Sequence, residues 1–355
     1  MWLAFALSAG FATAQDTWDG VARVVAVGDV HGDRAQLVTV LQQAGLIDAK
    51  GHWTGGRAHL VQTGDRVDRG PESRQVMDLL MGLEKEARKA GGRVHPLIGN
   101  HEAMNMLGDL RYVTAPEFAE FATADSARLR DALWEQVGRK GGPEDRAAFD
   151  AAHPLGWVEH RRAWAPNGPY GGWVARQDAA IRIGDTLFLH GGIAPKYADF
   201  SLKDLNERIR HELQQADPQT ALVSADPEGP LWFRGLASES PSMAAHVDAL
   251  LKRHGARRIV IGHTTTDGLV LPLYAGRVVM IDVGLSRVYG GPPAALLLED
   301  GRAYALHRGR RLPLPETSEA TLAYVREVIA LEPDPTRLRA LLERLQAAPV
   351  SAAPK

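Results

Sequence analysis

The chain of 355 residues contains no cysteine. That excludes structural disulfides, thiolate metal ligands and every mechanism built on a cysteine nucleophile. No G-x-S-x-G elbow occurs either, which disfavours a serine hydrolase. A basic surplus is also missing, because 41 lysines and arginines face 43 aspartates and glutamates. Net charge therefore implies no polyanion-binding surface, and nucleic acid is not expected as a partner. Past the N-terminus no stretch is long and apolar enough to cross a bilayer, so no stable membrane insertion is expected. No internal repeat is apparent.

What is present is a chain long enough, and at 45% hydrophobic apolar enough, for one large core or one core plus a small cap. Residues 1–14 read as a short apolar leader ending in Ala12-Thr13-Ala14, with cleavage before Gln15. A leader predicts a periplasmic or secreted protein. An apolar N-terminal strand or helix is the other reading of the segment, and it leaves the cytoplasm as the alternative.

Strand and helix patterns then alternate. Val21 to Val27, Ala58 to Gln62 and Val94 to Ile98 read as buried strands. Between them, Arg34 to Ala44 and Pro71 to Lys89 carry apolar residues at helical spacing, the second opened by proline. This order predicts a parallel-biased sheet with functional loops at the carboxyl ends of its strands. Residues 103–179 break the rhythm and are read as an inserted helical cap, or as helices that merely cover a sheet face. A Gly-Asp turn marks a hairpin over 181–190. Helices are expected over Leu202 to Gln215 and Met243 to His254, and strands over Arg258 to Ile261, Arg277 to Ile281 and Ala294 to Leu298. The main domain is placed at 15–310, with two terminal helices within 311–355.

Three of the strands run into polar loops of similar grammar: Gly28-Asp29-Val30-His31-Gly32-Asp33, Gly64-Asp65-Arg66-Val67-Asp68-Arg69-Gly70 and Gly99-Asn100-His101-Glu102. Each delivers Asp, His or Asn beside glycines that permit tight turns. Together they describe one metal site at the ends of neighbouring strands.

In order, these loops with His190-Gly191-Gly192 and Gly262-His263-Thr264 resemble the phosphoprotein phosphatase branch of the calcineurin-like metallophosphoesterases. The runs Met104 to Val113 and Gly229 to Gly235 further resemble the Shewanella-like subfamily. The resemblance implies an α/β fold, a two-sheet β-sandwich flanked by helices. It implies two metal ions, manganese, iron or zinc: one on Asp29, His31 and Asp65, the other on Asp65, Asn100, His190 and His263. Asp65 would be the shared ligand, and a bridging hydroxide would attack phosphorus in line. His101 would donate the proton to the leaving group, oriented by Asp68, while Arg69 and Arg234 would clamp the phosphate. Arg66 is expected to be solvated or ion-paired, and Asp33 and Glu102 to set loop geometry. The other nine histidines are read as structural or solvated. The implied substrate is a phosphorylated protein or peptide, or a small phosphomonoester. The alternatives are a dinucleotide polyphosphate hydrolase and a catalytically silent metal-bound interaction module.

Overall fold

The computed structural model describes residues 15–138 and 143–347. The leader expected over 1–14 lies outside the described residues, as do residues 139–142 of the expected cap. Twelve strands are described: β1 (Thr17–Trp18), β2 (Arg23–Val27), β3 (His59–Gln62), β4 (Arg93–Pro96), β5 (Ala180–Ile183), β6 (Thr186–Leu189), β7 (Arg258–Ile261), β8 (Leu271–Leu273), β9 (Val278–Met280), β10 (Ala294–Glu299), β11 (Arg302–His307) and β12 (Arg310–Pro313). They form two six-stranded sheets, ordered β12-β11-β10-β2-β3-β4 and β1-β5-β6-β7-β9-β8. This is the two-sheet α/β sandwich that the resemblance implied.

The parallel bias is real but local. In the first sheet only β2, β3 and β4 run parallel, and β10 to β12 are antiparallel. In the second, β6, β7 and β9 form the corresponding parallel triplet. Each triplet is buried on both faces, so its strands read as near-continuous apolar runs, such as Val24 to Val27 and Ile259 to Ile261. Each fully buried Val, Leu or Ile contributes roughly 1.5–3 kcal/mol relative to exposure, which makes these six strands a large part of what holds the two sheets together. Their carboxyl ends carry the loops beginning Gly28, Thr63, Leu97, His190, Gly262 and Ile281.

Four strands went unread in the sequence. β1 has two residues, and β8 carries Pro272, which fits an edge strand beside β9. β11 and β12 form a meander with β10 through Asp300-Gly301 and Arg308-Gly309, where all four residues have positive φ (50°, 75°, 47° and 76°). β12 runs across residue 310, and the helices Ser318–Leu331 and Thr336–Ala347 follow it. Tyr324 and Val325 of the first are buried in the common core, and the Tyr324 hydroxyl donates to the Val270 carbonyl at 3.0 Å.

Within 103–179 the described helices include Ala115–Phe121, Ser126–Leu133, Trp157–Ala163 and Gly171–Val174. The end of the segment stands against the helix Ser73–Lys89: Tyr170 donates to Asp78 at 2.8 Å and the Trp173 indole to Glu84 at 2.9 Å. The segment touches the metal-site loops through Asn105, Tyr112 and Glu117. Among the described residues no helix is long and apolar enough to cross a membrane.

Candidate metal centre

All ten residues singled out in the sequence lie at the meeting point of the two parallel triplets. Asp29 and His31 follow β2, Asp65, Asp68 and Arg69 follow β3, and Asn100 and His101 open the helix Asn100–Leu107 after β4. His190 follows β6 and His263 follows β7, while Arg234 arrives on a loop. Most of them line a cleft of about 150 Å³; Asp29, Asp68 and His190 stand behind its wall. The turns are severe. His31, Asp65, Asp68, Arg69 and His263 all hold positive φ, between 44° and 72°. A non-glycine residue in that region costs of order 1–3 kcal/mol, and such strain persists where the surroundings over-determine it. Here the surroundings leave no slack: a Cβ on Gly99 would come within 2.3 Å of the Asp65 carboxylate.

Glu102 fixes this geometry. Fully buried, its carboxylate accepts the backbone N–H groups of Asp65 (2.9 Å), Arg66 (2.8 Å) and Gly99 (2.8 Å), and so ties two loops together. The ion-paired expectation for Arg66 holds and the solvated one does not, since Arg66 is fully buried 3.3 Å from Glu102. Asp33 likewise sets its loop, accepting from the Gln36 backbone at 3.1 Å and pairing with Arg287 at 2.9 Å. Glu102→Ala should leave the Arg66 charge and three backbone donors unpaired. A loss of about 3–5 kcal/mol is expected in denaturant unfolding. A loss under about 1 kcal/mol, the worth of a surface pair, would show that Glu102 does not hold these loops.

The imidazoles are presented as ligands are. His31 donates Nδ1–H to the Val67 carbonyl (3.1 Å), His190 donates Nδ1–H to the Thr63 carbonyl (2.8 Å), and His263 donates Nε2–H to the Trp232 carbonyl (3.0 Å). A carbonyl only accepts, so each opposite nitrogen turns a lone pair inward. Burial lowers His31 to about 4 and His263 to about 3, which keeps both neutral near pH 7. The inward atoms then face one another as acceptors. His190 Nε2 lies 3.1 Å from His263 Nδ1, 2.9 Å from Asn100 Oδ1 and 3.2 Å from Asp65 Oδ2. Burial and the neighbouring Asp282 and Asp65 push Asp29 well above the ordinary carboxylate range. Converging lone pairs and crowded carboxylates fit a cation. Two sets of donor atoms meet the spacing: His31 with Asp65 and His101, and Asp65 with His190 and His263. Asp65 is common to both.

His101 stands apart from the other imidazoles. Its Nδ1 lies 2.6 Å from Asp68 Oδ2, and its Nε2 faces the cleft 3.8 Å from Asp65. Burial opposes its charge, but the Asp65 and Asp68 carboxylates prevail and raise it to about 9. Asp68 is itself held by Asn105 at 2.9 Å, and its backbone N–H by Glu117 at 2.9 Å. Arg69 sits 4.1 Å over the Tyr112 ring. Arg234 is exposed at the cleft mouth, donating to the His263 carbonyl (2.7 Å) and Thr264 Oγ1 (3.0 Å).

Sequence reasoning missed Asp282, Tyr112, Tyr289, Trp232 and Thr265, which complete the wall of the cleft. Asp282 was findable: it follows β9 as Asp29 follows β2 and Asp65 follows β3, an acid just past a buried strand. Its carboxylate accepts from Thr265 Oγ1 and the Gly284 backbone, each at 3.0 Å. The tyrosines offered no local signal.

The calcineurin-like phosphoesterase model matches residues 22–267. Shewanella-like protein phosphatase 2 of Arabidopsis thaliana is 30% identical over 283 residues, covering 75% of this chain and 72% of that protein. Shewanella-like protein phosphatase 1 of Plasmodium berghei is 26% identical over 303 residues, covering 81% and 74%. Among solved structures, the cold-active protein-tyrosine phosphatase of a psychrophilic Shewanella species is 30% identical with a TM-score of 0.66, covering 84% of this chain and 82% of that one. With the family model spanning most of the length and a buried cluster of carboxylates and neutral imidazoles at the strand ends, the chain belongs to the calcineurin-like metallophosphoesterases and is a metal-dependent phosphatase.

Proposed function

We propose that this protein hydrolyses phosphate monoesters on phosphorylated proteins or peptides, using two metal ions that share Asp65. The observation that carries this reading is Asp65, common to both donor sets. In the first set Asp29, 3.9 Å from His31 Nε2, takes the place of His101, which is protonated and bound to Asp68. Asp29, His31 and Asp65 would hold one ion and Asp65, Asn100, His190 and His263 the other, with manganese, iron or zinc suited to mixed imidazole and oxygen donors. When bound, the ions would supply Lewis acidity and a water acidic enough to act near neutral pH.

The chain's own residues do the rest. Arg69 and Arg234 bind the phosphoryl oxygens, which fixes the phosphorus for in-line displacement. A water that has lost one proton to solvent bonds through its oxygen to phosphorus as the ester P–O bond breaks, and the electron pair leaves with the alcohol oxygen. His101 gives that oxygen its proton from Nε2, while Asp68 keeps the ring oriented through Nδ1. His101 then regains from solvent the proton it gave up. The names of the Arabidopsis, Plasmodium and Shewanella relatives, all protein phosphatases, support a phosphoprotein substrate.

Chelation should abolish hydrolysis of a phosphopeptide panel, and two equivalents of manganese, iron or zinc should restore it. Restoration by a single equivalent would refute the dinuclear reading. Preferred turnover of dinucleotide polyphosphates over phosphopeptides would transfer the assignment to that substrate class. Arg234→Ala is expected to raise KM and lower kcat/KM for a phosphomonoester by an amount worth roughly 1.5–3 kcal/mol, with metal content unchanged. Unaltered kinetics would leave Arg234 with only its bonds to His263 and Thr264.

A further inference from the structure

A second cleft, about 600 Å³ against about 150 Å³ for the catalytic one, opens where edge strand β1 and the end of β4 meet the helix Ser73–Lys89. Its size falls in the range of small-molecule sites, roughly 300–1,000 Å³. Its walls include the Trp18 and Trp173 rings, beside Leu97 and Ile181. Its charge is one-sided. Lys85, Arg88, Arg93 and Arg176 line it against two acids, Glu84 and Asp178. Both acids are already engaged: Glu84 accepts the Trp173 indole N–H at 2.9 Å and Arg88 at 3.0 Å, and Asp178 is paired with Arg210.

Two wall residues also carry donors with no acceptor among the described residues. These are the Trp18 indole N–H and the Gln177 amide N–H, on side chains of residues only 9% and 8% exposed. Unpaired buried donors are costly, and a wall rich in donors with its acceptors used complements a ligand that brings acceptors of its own. The Arg93 guanidinium, 5.7 Å over the Trp18 ring, places positive charge beside that ring.

Gln177 connects this cleft to the metal site. Its Oε1 accepts from Arg66 Nη1 at 2.9 Å, Arg66 pairs with Glu102, and Glu102 holds the backbone of Asp65 and Gly99. The chain of contacts is buried and continuous from the cleft wall to the backbone of Asp65, the residue shared by both donor sets.

We propose that this cleft binds a small organic anion, a carboxylate or phosphate carried on a flat apolar body, and that its occupancy adjusts catalysis through Gln177, Arg66 and Glu102. A ligand acceptor that takes the free Gln177 amide N–H reorients the carboxamide on which Arg66 rests. The site is separate from the substrate clamps, so it can respond to a metabolite that is not itself hydrolysed.

Calorimetric titration of the full chain with indole-3-carboxylate, its neutral carboxamide and phenylphosphonate tests the site. The two anions should bind, and the carboxamide should bind about tenfold more weakly or worse. The double variant R93Q/R176Q should weaken both anions about tenfold or more, whereas Arg234→Ala should leave the carboxylate unchanged. Absence of carboxylate binding, or full binding by R93Q/R176Q, would overturn the site. Phosphonate binding lost only in Arg234→Ala would place that anion in the catalytic cleft and restrict the site to carboxylates. Saturating carboxylate should shift KM or kcat for p-nitrophenyl phosphate about twofold or more, and Gln177→Met should bind it without the shift. Binding with no kinetic shift in the parent protein, or an equal shift in Gln177→Met, would overturn the coupling.

Discussion

Asp65→Asn should abolish phosphoester hydrolysis and strip most of the bound metal while leaving the chain folded. The substitution keeps the side chain's shape and removes one charge from the carboxylate common to both donor sets. Burial opposes that charge, but the Asp65 carboxyl is held well below its ordinary range, with the protonated His101 ring 3.8 Å away favouring the ionised form. Partners that only orient metal ligands are worth about 10–100-fold in metal affinity. A ligand serving two ions should therefore cost more than that, at both ions together. Metal analysis of protein purified without chelator reads the result directly. Two retained equivalents with near-normal turnover would show that Asp65 does not bridge. Loss of the circular-dichroism signature along with the metal would point to the Asp65 loop as a folding element first.

The second large effect concerns His101 and Asp68. His101→Asn and Asp68→Asn are each expected to keep both metals. They should lose far more rate on a phosphoserine peptide than on p-nitrophenyl phosphate. The reason is the leaving group: p-nitrophenolate departs readily without a proton, and a serine alkoxide does not. General acid catalysis is worth about 10²–10⁴-fold, and that whole factor should appear on the peptide alone. The 2.6 Å contact between His101 Nδ1 and Asp68, with Asn105 bracing Asp68 from the other side, leaves Nε2 as the donor toward the cleft. Equal losses on the two substrates would assign the pair to phosphate positioning. Loss of metal in either variant would make them supports of the metal site and end the proton-donor role.

The residues of the site were legible because the chemistry is written in contiguous loops. Asp29 with His31, Asp65 through Arg69, and Asn100 with His101 each follow an apolar run within a few positions, and the fold brings those runs side by side. The parallel triplets were legible for the same reason, since doubly buried strands announce themselves by composition. What failed were features without local grammar. Glu117 holds the backbone of Asp68 from 49 positions away, and nothing around either residue points to the other. Tyr112 reaches His101 and Arg69 with its ring, from a run noted in the sequence only for its resemblance. The β10–β12 meander was a different failure. Its Asp300-Gly301 turn is a strong hairpin signal, overlooked beside an expected run of terminal helices. Asp282 fell between these cases, with the right grammar and no matched motif.

The donors of the candidate metal centre come from both halves of the sandwich: Asp29, Asp65 and Asn100 from the sheet of β2, β3 and β4, and His190 and His263 from that of β6 and β7. An ion gripped by both would act as a rivet through the two layers. Thermodynamic linkage then makes resistance to heat a function of metal supply, worth about 4 kcal/mol at a free concentration a thousand times Kd. In a metal-poor medium the same chain should melt earlier and yield sooner to proteases, so starvation for the ion would reduce its abundance as well as its turnover. A sandwich sewn at its catalytic edge would thus make the quantity of enzyme answer to the same ion as its rate.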